Sequence, residues 1–147
     1  MSDSDLVKLY SGRILALAAD IPHLGRLAAP SGTSRKRSPL CGSTVTVDLV
    51  MRDGRVAEFA QDVKACALGQ ASASVLGAVV LGRTRAELEA ARDALRAMLK
   101  EGGPVPAAPF EGYEVLTPAR EYKNRHASIL LALGAACEAA AASEAAA

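Results

Sequence analysis

The 147-residue chain has no tryptophan and only five other aromatic residues, three tyrosines and two phenylalanines. Half its residues are hydrophobic, most of them alanine and small aliphatics, and the length suffices for one domain with one buried core. Charge of one sign is also lacking. The formal net charge is +1, so the whole-molecule field gives no reason to expect nucleic acid or an acidic membrane as partner. The one basic cluster, Ser34-Arg35-Lys36-Arg37, reads as a solvated strand or loop edge. Three cysteines at irregular spacing do not make a disulfide framework, and an odd number argues against full pairing. The opening Met1-Ser2-Asp3-Ser4-Asp5 is acidic where a secretory signal would be basic. A reducing cytoplasm is the expected setting. Ala65 to Gly82 is uncharged over 18 residues, short for a bilayer span. It contains Gln70, Ser72, Ser74 and three glycines without an aromatic belt, so a buried core helix is expected. A Gly-rich phosphate loop, a Gly-x-Ser-x-Gly elbow and a compact zinc-finger spacing are all missing.

What is present reads as α+β. Apolar residues between Asp5 and Ala19 recur with helical spacing, and Pro22 and Gly25 stop that helix. Thr33 to Ser38 suits a short first strand. From Thr44 the chain alternates, with Val45, Val47, Leu49 and Met51 on one side and Thr44, Thr46, Asp48 and Arg52 on the other, a half-buried strand. Asp53-Gly54 is a two-residue turn. Arg55 to Val63 returns as its partner, with a bulge because Val56 and Phe59 are three apart. Ala65 to Leu81 is a helix, and Thr84 with Glu87 forms a capping box that opens another, ending near Lys100. Residues 101–117 hold three glycines and three prolines and suggest a mobile loop. Pro118 suits the first turn of a last helix continuing to Ala142. The layout is a small antiparallel sheet with several helices, in one domain over 1–147.

Four positions could carry chemistry. Cys41, in Leu40-Cys41-Gly42-Ser43, sits at a strand entry beside a glycine that permits close approach. Cys66 falls at a helix start, where free N–H groups and the dipole favour a thiolate, with Lys64 adding positive charge. Each also reads as an inert small hydrophobe, Cys66 packed among alanines at the helix start. His126 offers an imidazole suited to zinc or iron, or a structural histidine. His23 reads as a loop residue. Cys137 lies about 16 Å along a helix from His126, too far to share an ion through bonds of about 2.0 to 2.3 Å, and is assigned to the core. The residues alone reach as far as two thiols and one imidazole able to hold a metal.

Cys41-Gly42-Ser43 opening a strand, Asp53-Gly54 in the hairpin and the helix opening Ala65-Cys66-Ala67-Leu68-Gly69-Gln70-Ala71-Ser72-Ala73-Ser74 together resemble the iron–sulfur cluster assembly scaffolds of the NifU/IscU/SufU type. In that pattern a CGD segment opens the strand and GC-x-x-x-x-AS-x-S opens the helix. The resemblance covers about residues 22–133. The Gly/Pro stretch before Pro118-Ala119-Arg120 is similar to the insertion of the SufU branch, and the LPPVK segment of the IscU branch is absent. The resemblance implies a three-stranded antiparallel sheet packed with helices, and a protein that takes persulfide sulfur from a cysteine desulfurase and serves apo-protein clients. Cys41 and Cys66 match the family's first two cysteines, and His126 the histidine before the third. The implied ligands of iron, an iron–sulfur cluster or zinc are therefore Cys41, Cys66 and His126. Ser43 replaces the family's aspartate and Ala127 its third cysteine. Three roles follow from the resemblance: metal-binding scaffold, metal-free interaction module for a desulfurase or client, and zinc-dependent sulfur acceptor with Cys66 carrying the persulfide. None is an enzyme turning over a small substrate.

Overall fold

In the computed structural model, which describes residues 10–146, the chain runs α1 (Gly12–Ala19), β1 (Gly32–Arg37), β2 (Thr44–Arg52), β3 (Arg55–Lys64), α2 (Ala67–Val79), α3 (Arg85–Glu101), a 3-10 helix (Glu111–Glu121) and α4 (Lys123–Ala146). The helix expected over Asp5 to Ala19 appears as α1 from Gly12, and its part before Tyr10 lies outside the described residues. The alternating valines place β2 at the centre of a three-stranded sheet, antiparallel to β1 on one side and β3 on the other. Val45, Val47 and Leu49 are buried on the face covered by helices. Asp53 and Gly54 both have positive φ, 54° and 75°, which closes the β2–β3 hairpin with the twist the strands need. The bulge falls where the spacing suggests: Val50 pairs with Glu58 and Met51 with Val56. The extra residue, Ala57, lets Val56 and Phe59 both face the core.

Both faces of β2 are covered, which alternation alone did not suggest. Thr46 and Asp48, expected on the solvated side, are buried. The chain at Arg26–Leu27 lies over them: Asp48 accepts from Arg26 Nε at 2.6 Å, Arg26 Nη2 at 3.2 Å, Leu27 N–H at 3.1 Å and Thr33 Oγ1 at 2.7 Å. Burial pushes the Asp48 carboxyl up, but the hydrogen bonds from Arg26, Thr33 and Leu27 prevail and hold it below its ordinary value.

The α4 helix is apolar all round because it is surrounded, packing on β1, β2, α2 and α3. By length and composition it could cross a membrane, but in this fold its apolar residues are the core. Ser72 Oγ donates to the Ile129 carbonyl at 2.6 Å and Ser74 Oγ to that of Asp20 at 3.2 Å, so the hydroxyls of α2 tie it to its neighbours. The capping box at Thr84 and Glu87 opens α3, and Gly102 closes it in the left-handed conformation.

Residues 111–117, expected at the end of the 101–117 loop, and 118–121, expected to open the last helix, together form the 3-10 helix, with Tyr113, Val115 and Leu116 buried. Pro118 lies inside that helix rather than in the first turn of α4. The Gly/Pro content masked an apolar pattern that packs on α3. Arg120 then fastens the segment by donating to the carbonyls of Met98 and Gly103, each at 2.8 Å.

Candidate functional site

The register brings two cysteines to one end of the sheet. Arg37, Thr44 and Lys64 stand side by side there. The 38–43 loop that carries Cys41 joins the first two of these residues, and Cys66 follows the third by two positions. The loop is closed by Ser38 N–H to the Ser43 carbonyl at 2.8 Å and Gly42 N–H to the Ser38 carbonyl at 2.9 Å. Gly42 takes φ of 71°, a conformation side chains disfavour. Cys41 is exposed at the tip. Cys66 is half-buried and is the N-cap of α2 rather than a residue of its first turn, with no side-chain capping bond.

Between the thiols runs a chain of hydroxyls. Cys66 Sγ lies 3.4 Å from Ser128 Oγ, which donates to Ser43 Oγ at 3.2 Å, and Ser43 Oγ lies 3.0 Å from Cys41 Sγ. A serine hydroxyl has one proton to give. Since Ser128 gives its proton to Ser43, the Cys66 thiol is the donor to Ser128, while the Ser43 hydroxyl proton is free to donate to a Cys41 thiolate. With Cys41 as the thiolate, the three contacts line up as donors towards its sulfur. The close approach that allows this needs Gly69: a Cβ there would come within 2.8 Å of Ser128 Oγ.

Ser38 adds to the bias. Its hydroxyl is buried without a hydrogen-bond partner of its own, yet it lies near enough to the Cys41 sulfur to stabilise its charge. The Ser38 and Ser43 hydroxyls, with the Ser43 main chain, bring the Cys41 thiol down to about 7. Burial pushes the Cys137 thiol up to about 11, and Cys137 is in the core as its spacing suggests.

His126 is not part of this arrangement. Its ring is buried and its Nε2–H donates to the Ala119 carbonyl at 2.9 Å, fastening the 3-10 helix to α4. Among the described residues no three His, Cys, Asp or Glu side chains lie together closely enough to hold a metal ion. The expected set of Cys41, Cys66 and His126 is thus not assembled, and one chain offers two thiols joined by neutral hydroxyls. That set does not fit a resident metal, which in a closed site takes four nitrogen, sulfur or carboxylate ligands. Ser128 and Ser38 were not singled out from sequence. The available signal for Ser128 is its place directly after Ala127, at the family's third-cysteine position.

Fold and site define a small α+β protein that presents an ionisable thiol pair at one end of an antiparallel sheet. No family model matches the chain, and no curated protein does. Among solved structures it is similar to a nitrogen-fixing NifU-like protein (N-terminal) from Brucella abortus, at 48% identity and a TM-score of 0.93 over 96% of this chain and 98% of that one. The chain belongs to the NifU-like family. It also shares its fold with a hypothetical protein, at 22% identity and a TM-score of 0.81 over 92% of this chain and 98% of that one. A provisional iron–sulfur cluster assembly scaffold protein for the SUF system from the thermophilic Fervidobacterium islandicum AW-1 has the same fold, at 18% identity and 0.77 over 88% and 94%.

Proposed function

We propose that this protein serves iron–sulfur cluster assembly as a sulfur acceptor, with Cys41 taking a sulfane sulfur from a cysteine desulfurase for delivery to a client. The observation that carries this reading is the exposed Cys41 thiol, held low by the Ser38 and Ser43 hydroxyls and linked through Ser43 and Ser128 to Cys66. It presents an exposed sulfur as the nucleophile. The Cys41 thiolate attacks the outer sulfur of the donor's persulfide. A new S–S bond forms at Cys41, the donor's S–S bond breaks, and the donor leaves as a thiolate. The transferred sulfur keeps its proton, and no net oxidation or reduction occurs. Iron and the finished cluster are cargo of the assembly machinery in this scheme, and no metal enters the step.

This assignment moves the acceptor role from Cys66, where the helix start had suggested it, to Cys41. Cys66 becomes the half-buried proton donor at the far end of the chain. Sulfur acceptance is one of the roles that the sequence resemblance implies, and the partners follow from it: a desulfurase upstream and apo-proteins downstream.

The test is desulfurase turnover of cysteine with this protein added. Wild-type protein should accelerate sulfide release in the presence of reductant, and Cys41→Ala should bring the rate back to that of desulfurase alone. Ser43→Ala keeps the nucleophile but loses a stabilising hydroxyl, so it should retain activity with its pH profile displaced upward. Full acceleration by Cys41→Ala would instead identify a metal-free interaction module.

A further inference from the structure

Beside the thiols, a groove of about 310 Å³ runs between the end of β1, α3 and α4. Its walls are basic. Arg92, Arg96 and Lys100 recur every fourth residue along α3, and Lys36 and Arg37 face them from β1. Among groove residues only Glu138 carries negative charge, and it is taken by Lys36 at 2.9 Å. Arg92 pairs with Asp93 at 3.2 Å. Arg37, Arg96 and Lys100 have no ion-pair partner among the described residues, and all three are exposed. The floor is apolar: Ala127, Leu130, Leu131 and Gly134 of α4. A Cβ at Gly134 would sit 3.4 Å from Lys36 Cδ, so the glycine lets the lysine stem lie along the helix.

With a whole-chain charge of only +1, this concentration of cations is local, and it ends at the site. Ser38, which opens the Cys41 loop, and Ala127, next to Ser128, line the groove. The three cations of α3 span about 12 Å. One phosphate or carboxylate cannot meet all of them, whereas about four residues of extended peptide at about 3.3 Å each can. Alternating side chains would then put acids on the walls and aliphatic groups on the floor.

We infer that this groove docks an extended acidic segment of a partner protein, whose Asp and Glu side chains engage Arg37, Arg96 and Lys100 and lead the partner to the thiols. The purpose of the docking rests on the sulfur-acceptor reading, but the binding itself does not.

The test uses a fluorescently labelled hexapeptide that alternates acidic residues with leucine, titrated into the full chain at low ionic strength. Saturable binding is expected for wild type and equally for Cys41→Ala. Arg96→Glu combined with Lys100→Glu should weaken it at least about tenfold. Both positions are exposed, and circular dichroism should show the fold intact. Amide shifts on binding should centre on α3 and the end of β1. Absence of binding, equal affinity of the charge-reversed variant, complete displacement by millimolar inorganic phosphate or tighter binding of a short single-stranded DNA would each overturn the inference. Peptide binding by a Cys41→Ala protein that no longer accepts sulfur is the expected pairing. Binding without any role for Cys41 would sink only the sulfur-acceptor reading.

Discussion

Gly32→Ala should cost about 3 kcal/mol of stability or more, lowering the melting temperature by about 9 °C in a chain of this size. Gly32 opens β1, is buried, and pairs with Leu49 of β2. A Cβ at this position would collide with the Ala139 carbonyl of α4 and come within 3.0 Å of Ser143 Cβ. Backbone cannot swing aside as a side chain can, so either β1 lifts from α4 or α4 bends. The effect is one of space, since Gly32 is not in the left-handed region. Because β1 leads into the Cys41 loop, the same change should loosen the thiol site. Thermal unfolding followed by circular dichroism measures it, and a melting temperature equal to wild type would mean that β1 does not lie against α4 at this point.

Asp48→Ala is the second large effect, expected at about 3 kcal/mol near neutral pH. It strips the acceptor from the Thr33 hydroxyl and the Leu27 N–H, and removing one member of a buried, hydrogen-bonded charge cluster is costly. Arg26 is 57% exposed and can turn to water, which keeps the loss at the lower end. The sign with pH follows from the direction of the shift. A carboxyl held below its ordinary value stabilises the fold above the unfolded-state pKa of about 3.9. That contribution fades as the pH falls through the lower folded-state value. Urea unfolding of wild type and Asp48→Ala should therefore differ most above about pH 5, and the gap should narrow on acidification below about pH 4. A gap that widened in acid would contradict the assigned ionisation.

Much of the architecture was readable because local chemistry dictated it. Asp53-Gly54 tolerates the left-handed turn, Thr84 and Glu87 cap α3 reciprocally, and the spacing of Val56 and Phe59 demands a bulge. Asp48 misled because alternation reports one buried face, whereas the covering of the other face depends on a segment more than twenty residues earlier. The Gly/Pro-rich stretch misled for a similar reason: Tyr113, Val115 and Leu116 bury against α3, a tertiary contact that outweighs weak helix propensity. At the site, the two thiols were identifiable and their meeting at one sheet end follows from the register. The serine chain was not, since a hydroxyl's role depends on a partner 85 residues away, as for Ser128 and Ser43. His126 matched the family's histidine position, but its ring is engaged by a carbonyl seven residues back, which no motif reveals.

The most direct check is intact-mass analysis of the protein after exposure to a cysteine desulfurase and cysteine, without reductant and with a chelator present throughout. The account expects a gain of one sulfur atom, mapped by proteolysis to Cys41 and lost in Cys41→Ala but not in Cys66→Ala. Sulfur found on Cys66 instead, or none at all until zinc or iron is restored, would contradict it.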